Sequence, residues 1–213
     1  WTTESGQLPL FAMNIDWQKV ERVLVIRLRS IGDTVLATPS LISLRKFLPE
    51  AEIDVLLEDW VAPLLDGFES VDNILIAGRS AVEKATTAIA LRRRKYDVVC
   101  NLHGGTTSTF FIRATGARHR VGYAEYRYSS FYTHLLSSSA DFWGKPFTHS
   151  AEQQMALLGF TGVPVAESTK TRLVPTPAAL EQITDKLPHS AFALIHPVAA
   201  FATKTWPVVN FAR

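Results

Sequence analysis

Short apolar runs alternate with helical segments along most of the chain, and this alternation constrains the fold more than any other feature of the sequence. An uninterrupted apolar run such as residues 23–26 is typical of a strand that is buried on both faces. Strands that alternate with helices predict an α/β, Rossmann-like doubly wound parallel sheet with helices on both faces. The predicted strands are residues 23–26, 53–57, 71–77, 96–102, 118–122 and 191–195, and the predicted helices are residues 33–47, 60–65, 81–94, 106–115, 150–158, 177–187 and a last one from 207.

The turns that follow these strands are expected to hold a ligand, because the carboxyl ends of parallel strands meet at one edge of the sheet. The first turn contains a single glycine, Gly32. The Gly-rich fingerprint of a dinucleotide site is therefore missing there, which disfavours a nucleotide-dependent oxidoreductase. Asp33 has two compatible interpretations. It can cap the following helix, or it can be a carboxylate at the mouth of a cleft that accepts a proton from a substrate hydroxyl.

A second candidate turn is formed by His103, Gly104 and Gly105, which follow the fourth predicted strand and lead into a helix. Small residues let a ligand approach the backbone, and the start of a helix favours anions. A tight turn in front of a helix explains the same residues without any ligand.

Arginine and tyrosine side chains cluster in residues 113–132. They could form a nucleic-acid surface, the basic rim of a pocket for a carboxylate- or phosphate-bearing small molecule, or solvated arginines beside half-buried tyrosines. The net charge of only +2 does not require a nucleic-acid partner. Within the cluster, Arg120 is the first candidate for ligand binding.

Thr203, Lys204 and Thr205 stand just ahead of Trp206 and Pro207, where a helix is predicted to start because proline suits a first turn. Positive charge, hydroxyl donors and free backbone N–H groups together form a plausible phosphate site. An exposed loop lysine is the alternative interpretation.

Three classes of site or protein are disfavoured by composition. The single cysteine, Cys100, allows no internal disulfide and no Cys-rich zinc site, and its apolar strand predicts an inert core thiol. No cluster has the spacing of metal ligands, so no metal is predicted. The sequence has no apolar run of about 18 residues that could span a membrane.

The segment RVLVIRLRSIGDTVLATPSL, residues 22–41, resembles the opening of the lipopolysaccharide heptosyltransferases, glycosyltransferase family 9. Residues 97–102 and 120–123 resemble middle segments of that family, and residues 196–207 resemble the opening of its second domain. The resemblance implies the glycosyltransferase-B fold, in which two Rossmann-like domains face each other across a cleft.

The same resemblance implies a division of the chain in which the second domain is largely missing. Residues 1–20 are then an extension, residues 21–170 an acceptor-binding domain, and residues 171–213 a linker with the first part of an incomplete nucleotide-sugar-binding domain. Because the chain begins at Trp1 and lacks the family's later donor-binding segments, it is expected to be a fragment that is inactive on its own.

The implied reaction is transfer of a heptose from ADP-heptose to a Kdo or heptose residue of the lipid A-linked inner core, with inversion and without a metal or cofactor. Asp33 would be the general base. Lys204, with Thr203 and Thr205, would neutralise the departing phosphates, and Arg120, His103, Gly104 and Gly105 would lie on the acceptor side.

A monomeric cytoplasmic protein with peripheral contact at the inner membrane and no nucleic-acid partner is implied as well. Two alternatives remain open. One is a non-catalytic anion- or saccharide-binding α/β module. The other is a diverged glycosyltransferase that uses another sugar nucleotide.

Overall fold

The computed structural model describes residues 15–166, 170–188, 190–196, 199 and 201–211. Its six strands are β1 (Arg22–Ile26), β2 (Glu52–Leu57), β3 (Asn73–Ile76), β4 (Val98–Asn101), β5 (His119–Tyr123) and β6 (His134–Leu136). They form one parallel sheet in the order β3-β2-β1-β4-β5-β6. This is the strand order of doubly wound nucleotide-binding folds, so the predicted Rossmann-like α/β class is confirmed.

The helices are α1 (Ile31–Phe47), α2 (Ala81–Arg93), α3 (Thr106–Thr115), α4 (Ser139–Trp143), α5 (Ser150–Phe160), α6 (Pro177–Thr184) and α7 (Val208–Phe211). Both faces of the sheet are covered, one by α1 and α5 and the other by α2 and α3. The helix predicted at residues 60–65 is a shorter 3₁₀ turn, Ala62–Leu65. Two further 3₁₀ turns, Trp17–Lys19 and Ser129–Phe131, precede β1 and β6.

Alternate residues of each central strand enter two separate apolar layers, as the period of two in a strand requires. Val23 and Val25 pack with α1 and α5, whereas Leu24 and Ile26 pack with α2 and α3. Cys100, opposite Val25 in the sheet, is fully buried. Burial raises the pKa of its thiol to about 12, so the prediction of an inert core thiol agrees with its position.

Pro39 lies in the middle of α1, where a proline ordinarily kinks or ends a helix. A proline has no N–H to donate to the carbonyl four residues earlier, which here is that of Val35. The Thr38 hydroxyl donates to the Val35 carbonyl at 2.7 Å. This side-chain bond replaces the missing backbone bond, and α1 continues to Phe47.

Two segments differ from the sequence-based expectation. Residues 123–147, which show no regular pattern, contain the three-residue edge strand β6 and the short helix α4. Residues 191–195 are not the predicted buried strand: Phe192 is 51% exposed and Leu194 86% exposed. A buried strand needs neighbouring strands, and the described residues from Thr176 onward contain none.

The chain divides into two compact units, Trp1–Pro175 and Thr176–Arg213. The first contains the sheet and α1 to α5, and the second contains α6, α7 and the 3₁₀ turn Ala202–Lys204. In the part of the chain that the structure describes, no helix is both long and apolar enough to cross a membrane.

Candidate functional site

The strand order reverses between β1 and β4, and beside the carboxyl ends of these two strands lies a cavity of about 520 Å³. Ligands of doubly wound sheets bind at this reversal. Arg27 follows β1 and His103 follows β4, and both line the cavity. Asp33 from α1 and Gln154 from α5 line it as well. The structure therefore brings together two residues that the sequence singled out separately, Asp33 and His103.

Asp33 is held by an ion pair with Arg27, a residue that the sequence analysis did not select. The Arg27 Nη2 atom pairs with Asp33 Oδ2, and Arg27 Nη1 donates to the Leu102 carbonyl at 2.5 Å. Burial lowers the pKa of Arg27, and the neighbouring Asp33 carboxylate opposes this effect. The pair orients the carboxylate through one oxygen. The other oxygen has no hydrogen-bond partner among the described residues.

The prediction that Asp33 caps α1 is wrong. The cap position belongs to Ser30, and Asp33 lies in the first helical turn, where the helix dipole favours a carboxylate. Ser30 has a φ of 80°, which costs a non-glycine residue on the order of 1–3 kcal/mol. Its carbonyl accepts bonds from the Thr34 N–H at 3.0 Å and the Thr34 hydroxyl at 2.9 Å. This strained turn places Asp33 at the cavity.

The loop after β4 is organised by Asn101, which is fully buried. Its Oδ1 accepts hydrogen bonds from the backbone N–H groups of His103 (3.0 Å) and Gly104 (3.2 Å). Its Nδ2 donates to the hydroxyls of Ser108 (3.0 Å) and Tyr132 (2.6 Å). One amide thus joins the strand end, the loop and α3.

Glycine is required at position 104 for two reasons. Its φ is +78°, and a Cβ atom there would lie 2.5 Å from Cε1 of Tyr126. Gly105 is the residue before α3, with an ordinary φ of −84°. The small residues predicted to admit a ligand therefore also let the loop pack against the Tyr126 ring.

His103 is uncharged at neutral pH. Burial lowers its pKa to about 4, and the positive charges of Arg27 and Arg29 act in the same direction. A neutral imidazole has one donor and one acceptor nitrogen. At this position it can exchange hydrogen bonds with a ligand but adds no positive charge to the cavity.

Three buried polar atoms of cavity residues lack a hydrogen-bond partner among the described residues: Arg27 Nε, His103 Nδ1 and Gln154 Oε1. Buried polar groups are nearly always paired, because an unpaired one costs about 1–3 kcal/mol. Three such atoms around one cavity indicate a site that is completed by a polar ligand or by water.

Arg120 is not brought to this cavity. It lies near the amino end of β5, and its guanidinium donates to the carbonyls of Phe131 (2.6 Å) and Ala117 (2.5 Å). Burial lowers the pKa of Arg120, as does the nearby charge of Arg113. The neighbouring rings of Tyr123 and Tyr132 are buried, whereas Tyr128 and Phe131 of the same segment are exposed and stack on each other.

Lys204 belongs to the second compact unit, where it ends the 3₁₀ turn Ala202–Lys204. Its ammonium lies 5.6 Å from the centre of the Phe201 ring. The Thr205 hydroxyl donates to the Phe201 carbonyl at 3.3 Å, and Thr203 is exposed within the same turn. The three residues are close together in the chain and accessible, as a phosphate-binding segment must be.

Sequence reasoning missed Arg27, Asn101 and Gln154. Asn101 carried a usable signal, since it is a polar residue inside an apolar strand. Arg27 directly follows an apolar strand and precedes an aspartate by six positions, which is a weaker signal. Gln154 carried none, because its helix has other polar residues at similar spacing. Among the described residues, no three His, Cys, Asp or Glu side chains are grouped so that they could hold a metal ion.

Comparison with known proteins places these features in a family. The sequence profile of Glycosyltransferase family 9 (heptosyltransferase) matches residues 86–213. Lipopolysaccharide heptosyltransferase 3 of Escherichia coli is 29% identical over 205 residues, which cover 87% of this chain and 57% of that protein. The chain thus spans little more than half the length of this curated relative.

Solved structures share the fold. A glycosyl transferase of family 9 from Veillonella parvula DSM 2008 matches with a TM-score of 0.75 and 20% identity, over 94% of this chain and 60% of that one. The E. coli heptosyltransferase WaaC, solved with ADP-2-deoxy-2-fluoro heptose, matches with a TM-score of 0.60 and 21% identity, over 87% and 62% of the two chains. Since the family profile covers more than half of the sequence, the chain belongs to glycosyltransferase family 9, the heptosyltransferase family.

Proposed function

We propose that the protein that contains this chain transfers a heptose from ADP-heptose to a sugar hydroxyl of the lipopolysaccharide inner core. The observation that carries the proposal is the Asp33 carboxylate at the reversal of the strand order. It is oriented by Arg27 through one oxygen and lines a cavity of about 520 Å³. A carboxylate held in this way can accept a proton from a hydroxyl group.

In the proposed reaction, the acceptor hydroxyl oxygen attacks the anomeric carbon of the donor sugar. Its proton passes to Asp33, and the bond between the anomeric carbon and the phosphate oxygen breaks, so that ADP leaves. Attack from the side opposite the leaving group inverts the anomeric configuration. Asp33 thus acts on the acceptor side, and the departing ADP needs positive charge on the other side.

Lys204, with Thr203 and Thr205, is the proposed source of that positive charge. The segment is exposed and combines an ammonium group with two hydroxyls, which suits a diphosphate. The nature of the donor is supported by related proteins. WaaC was solved with ADP and with ADP-2-deoxy-2-fluoro heptose, and another E. coli relative is described as an ADP-heptose lps heptosyltransferase.

The remaining features of the proposal concern the location and the state of the protein. An acceptor attached to lipid A implies that the protein acts at the cytoplasmic face of the inner membrane, in peripheral contact with it. We also propose that it acts as a monomer, without a metal or cofactor. His103, Gly104 and Gly105 border the acceptor, whereas Arg120 enters this account only as a residue outside the cavity.

The test is a transfer assay with the full encoded protein, ADP-heptose and lipopolysaccharide core that lacks the terminal heptose. Mass spectrometry of the core should show the addition of one heptose. UDP-glucose and ADP-glucose serve as matched donors. Transfer from either of these in preference to ADP-heptose would favour the diverged glycosyltransferase, and no transfer from any donor would refute the proposal.

A second candidate function, non-catalytic saccharide binding, is favoured by one observation. The cavity is lined entirely by residues of the first compact unit, Trp1–Pro175. A binding module would bind the core saccharide but would not transfer a heptose to it. Calorimetry with the core saccharide, run beside the transfer assay on the same wild-type protein, separates the two functions, because binding without transfer identifies a binding module.

A further inference from the structure

The cavity next to Asp33 has no unpaired positive charge among its described lining residues. Its charged members are Arg27, Asp33 and Glu125. Arg27 and Asp33 neutralise each other in their ion pair, and Glu125 is exposed at the rim. The positive groups that were expected near an anionic acceptor, with Arg120 first among them, lie outside the lining.

The rest of the lining is suited to a ring that carries hydroxyl groups. Hydroxyl side chains come from Ser138, Ser139 and Thr148. Aromatic surface is supplied by Tyr126 and by Phe147, whose side chain is 87% exposed at the cavity. The apolar face of such a ring can pack against the C–H face of a sugar.

Gln154 is the most unusual polar residue of the cavity. It is only 5% exposed, and its Nε2 donates to the Asp33 carbonyl at 3.5 Å. Its Oε1 is buried and has no partner among the described residues. The amide is therefore attached to the same helical turn that carries the candidate base, with an acceptor oxygen left over.

From these observations we infer that the cavity binds an uncharged, polyhydroxylated sugar ring of the acceptor, and that Gln154 determines this specificity by accepting a hydrogen bond from one ring hydroxyl. The inference rests on the proposed function and deepens it by naming the class of sugar next to Asp33. A carboxylate- or phosphate-bearing ring would meet Glu125 and Asp33 inside the lining, where Arg27 is already paired. Arg29, whose charge lowers the pKa of His103, is exposed and lies outside that lining. Sites that hydrogen-bond a substrate hydroxyl discriminate strongly, because a ligand without that hydroxyl leaves a buried polar group unpaired.

The test uses the 213-residue chain and two probes that differ only in charge. Methyl mannopyranoside is neutral, and methyl mannopyranosiduronate carries a carboxylate on the same ring. Amide chemical shifts follow the titration of each. The mannoside should shift the amides of His103 and Gln154, with a dissociation constant on the order of 1–10 mM. The uronate should bind about tenfold more weakly or not at all.

The role of Gln154 is tested with Gln154→Met, which keeps the length of the side chain but removes its amide, both the Oε1 acceptor and the Nε2 that donates to the Asp33 carbonyl. We expect at least a fivefold loss of affinity for the mannoside, about 1 kcal/mol. The matched control is Gln18→Met. Gln18 is exposed in the turn Trp17–Lys19 and does not line the cavity, so its replacement should leave affinity unchanged. The spectrum away from the cavity reports whether each variant is folded.

Two results would overturn the inference with the wild-type chain alone, whatever the variant does. One is tighter or equal binding of the uronate, and the other is no binding of either probe at concentrations on the order of 50 mM. Unchanged affinity of a folded Gln154→Met variant would remove Gln154 as the specificity residue. The transfer assay stays independent: heptose transfer without probe binding refutes only this inference, and probe binding without transfer refutes only the proposed reaction.

Discussion

Replacing Asn101 by alanine should loosen the loop that carries His103 and Gly104 and should destabilise the fold. The four hydrogen bonds of the Asn101 amide differ in what their loss costs, because two of the four partners have another hydrogen bond. After the amide is removed, the Ser108 hydroxyl still donates to the Gly105 carbonyl (2.7 Å), and the Tyr132 hydroxyl is still hydrogen-bonded to the Thr109 hydroxyl (2.9 Å).

The backbone N–H groups of His103 and Gly104 have no such alternative among the described residues. Each unpaired N–H costs about 1–3 kcal/mol, and partial access to water places both in the lower half of that range. The expected loss in the free energy of unfolding is therefore about 2–4 kcal/mol. This is large compared with a typical stability of about 5–15 kcal/mol, yet it leaves the protein folded.

The assay is urea unfolding followed by tryptophan fluorescence, with linear extrapolation to water. The control is Tyr132→Phe, which removes the bonds of the Tyr132 hydroxyl to the Asn101 Nδ2 and to the Thr109 hydroxyl but leaves both backbone bonds of Asn101 in place, and it should cost about 1–2 kcal/mol. A loss in Asn101→Ala of no more than that of Tyr132→Phe would show that the two backbone bonds do not hold the loop, and the reasoning would be wrong.

Three further predictions concern the same part of the fold. Gly104→Ala should lower the free energy of unfolding by about 2–4 kcal/mol, because position 104 has a positive φ and the new Cβ would contact Tyr126. The control is Gly32→Ala, which should be neutral or stabilising because its Cβ meets nothing within 4 Å. Equal losses of stability in thermal unfolding of the two variants would contradict this. For His103, the native pKa of about 4 lies below the ordinary 6.5, so the unfolded state binds more protons between these values and stability falls as pH drops from 6.5 to 4. Solvent screening limits this loss to about 1–2 kcal/mol, and a His103→Leu variant that keeps the full acid slope would refute it. Cys100 should not react with a thiol reagent in the native protein, since its thiol is fully buried with a pKa raised to about 12; fast native labelling would contradict its place in the core.

The sequence could predict the parallel sheet because several continuous apolar runs such as residues 23–26 alternate with helical segments, a pattern that is typical of strands buried on both faces. It also placed the turns that carry Asp33 and His103 at the same edge of the sheet, since both turns follow predicted strands. The resemblance supplied the family, and the family profile confirmed it.

The interaction partners of these residues could not be predicted from the sequence, because they depend on turn geometry and helix packing. The pairing of Arg27 with Asp33 depends on the turn at Ser30, whose positive φ no residue preference for serine indicates. The orphaned oxygen of Gln154 depends on how α5 packs beside α1, which helical periodicity does not specify. The strand predicted at residues 191–195 failed because apolar composition alone does not provide a neighbouring strand.

Arg120 shows a different limit. An arginine near a strand is a reasonable ligand candidate, but strand polarity decides which edge of the sheet it reaches. Arg120 lies near the amino end of β5, while the cavity lies at the carboxyl ends. The guanidinium of Arg120 donates to two backbone carbonyls, and this structural role accounts for the residue without a ligand.

The central claim is that Asp33 removes the proton from the acceptor hydroxyl in the cavity. It is tested most directly by the kcat of the Asp33→Asn variant of the full encoded protein with ADP-heptose, measured beside calorimetric binding of ADP. The asparagine keeps the size of the side chain and removes the base. The account predicts a fall in kcat of about 10²–10⁴-fold with unchanged affinity for ADP. A kcat close to that of the wild-type protein would contradict it.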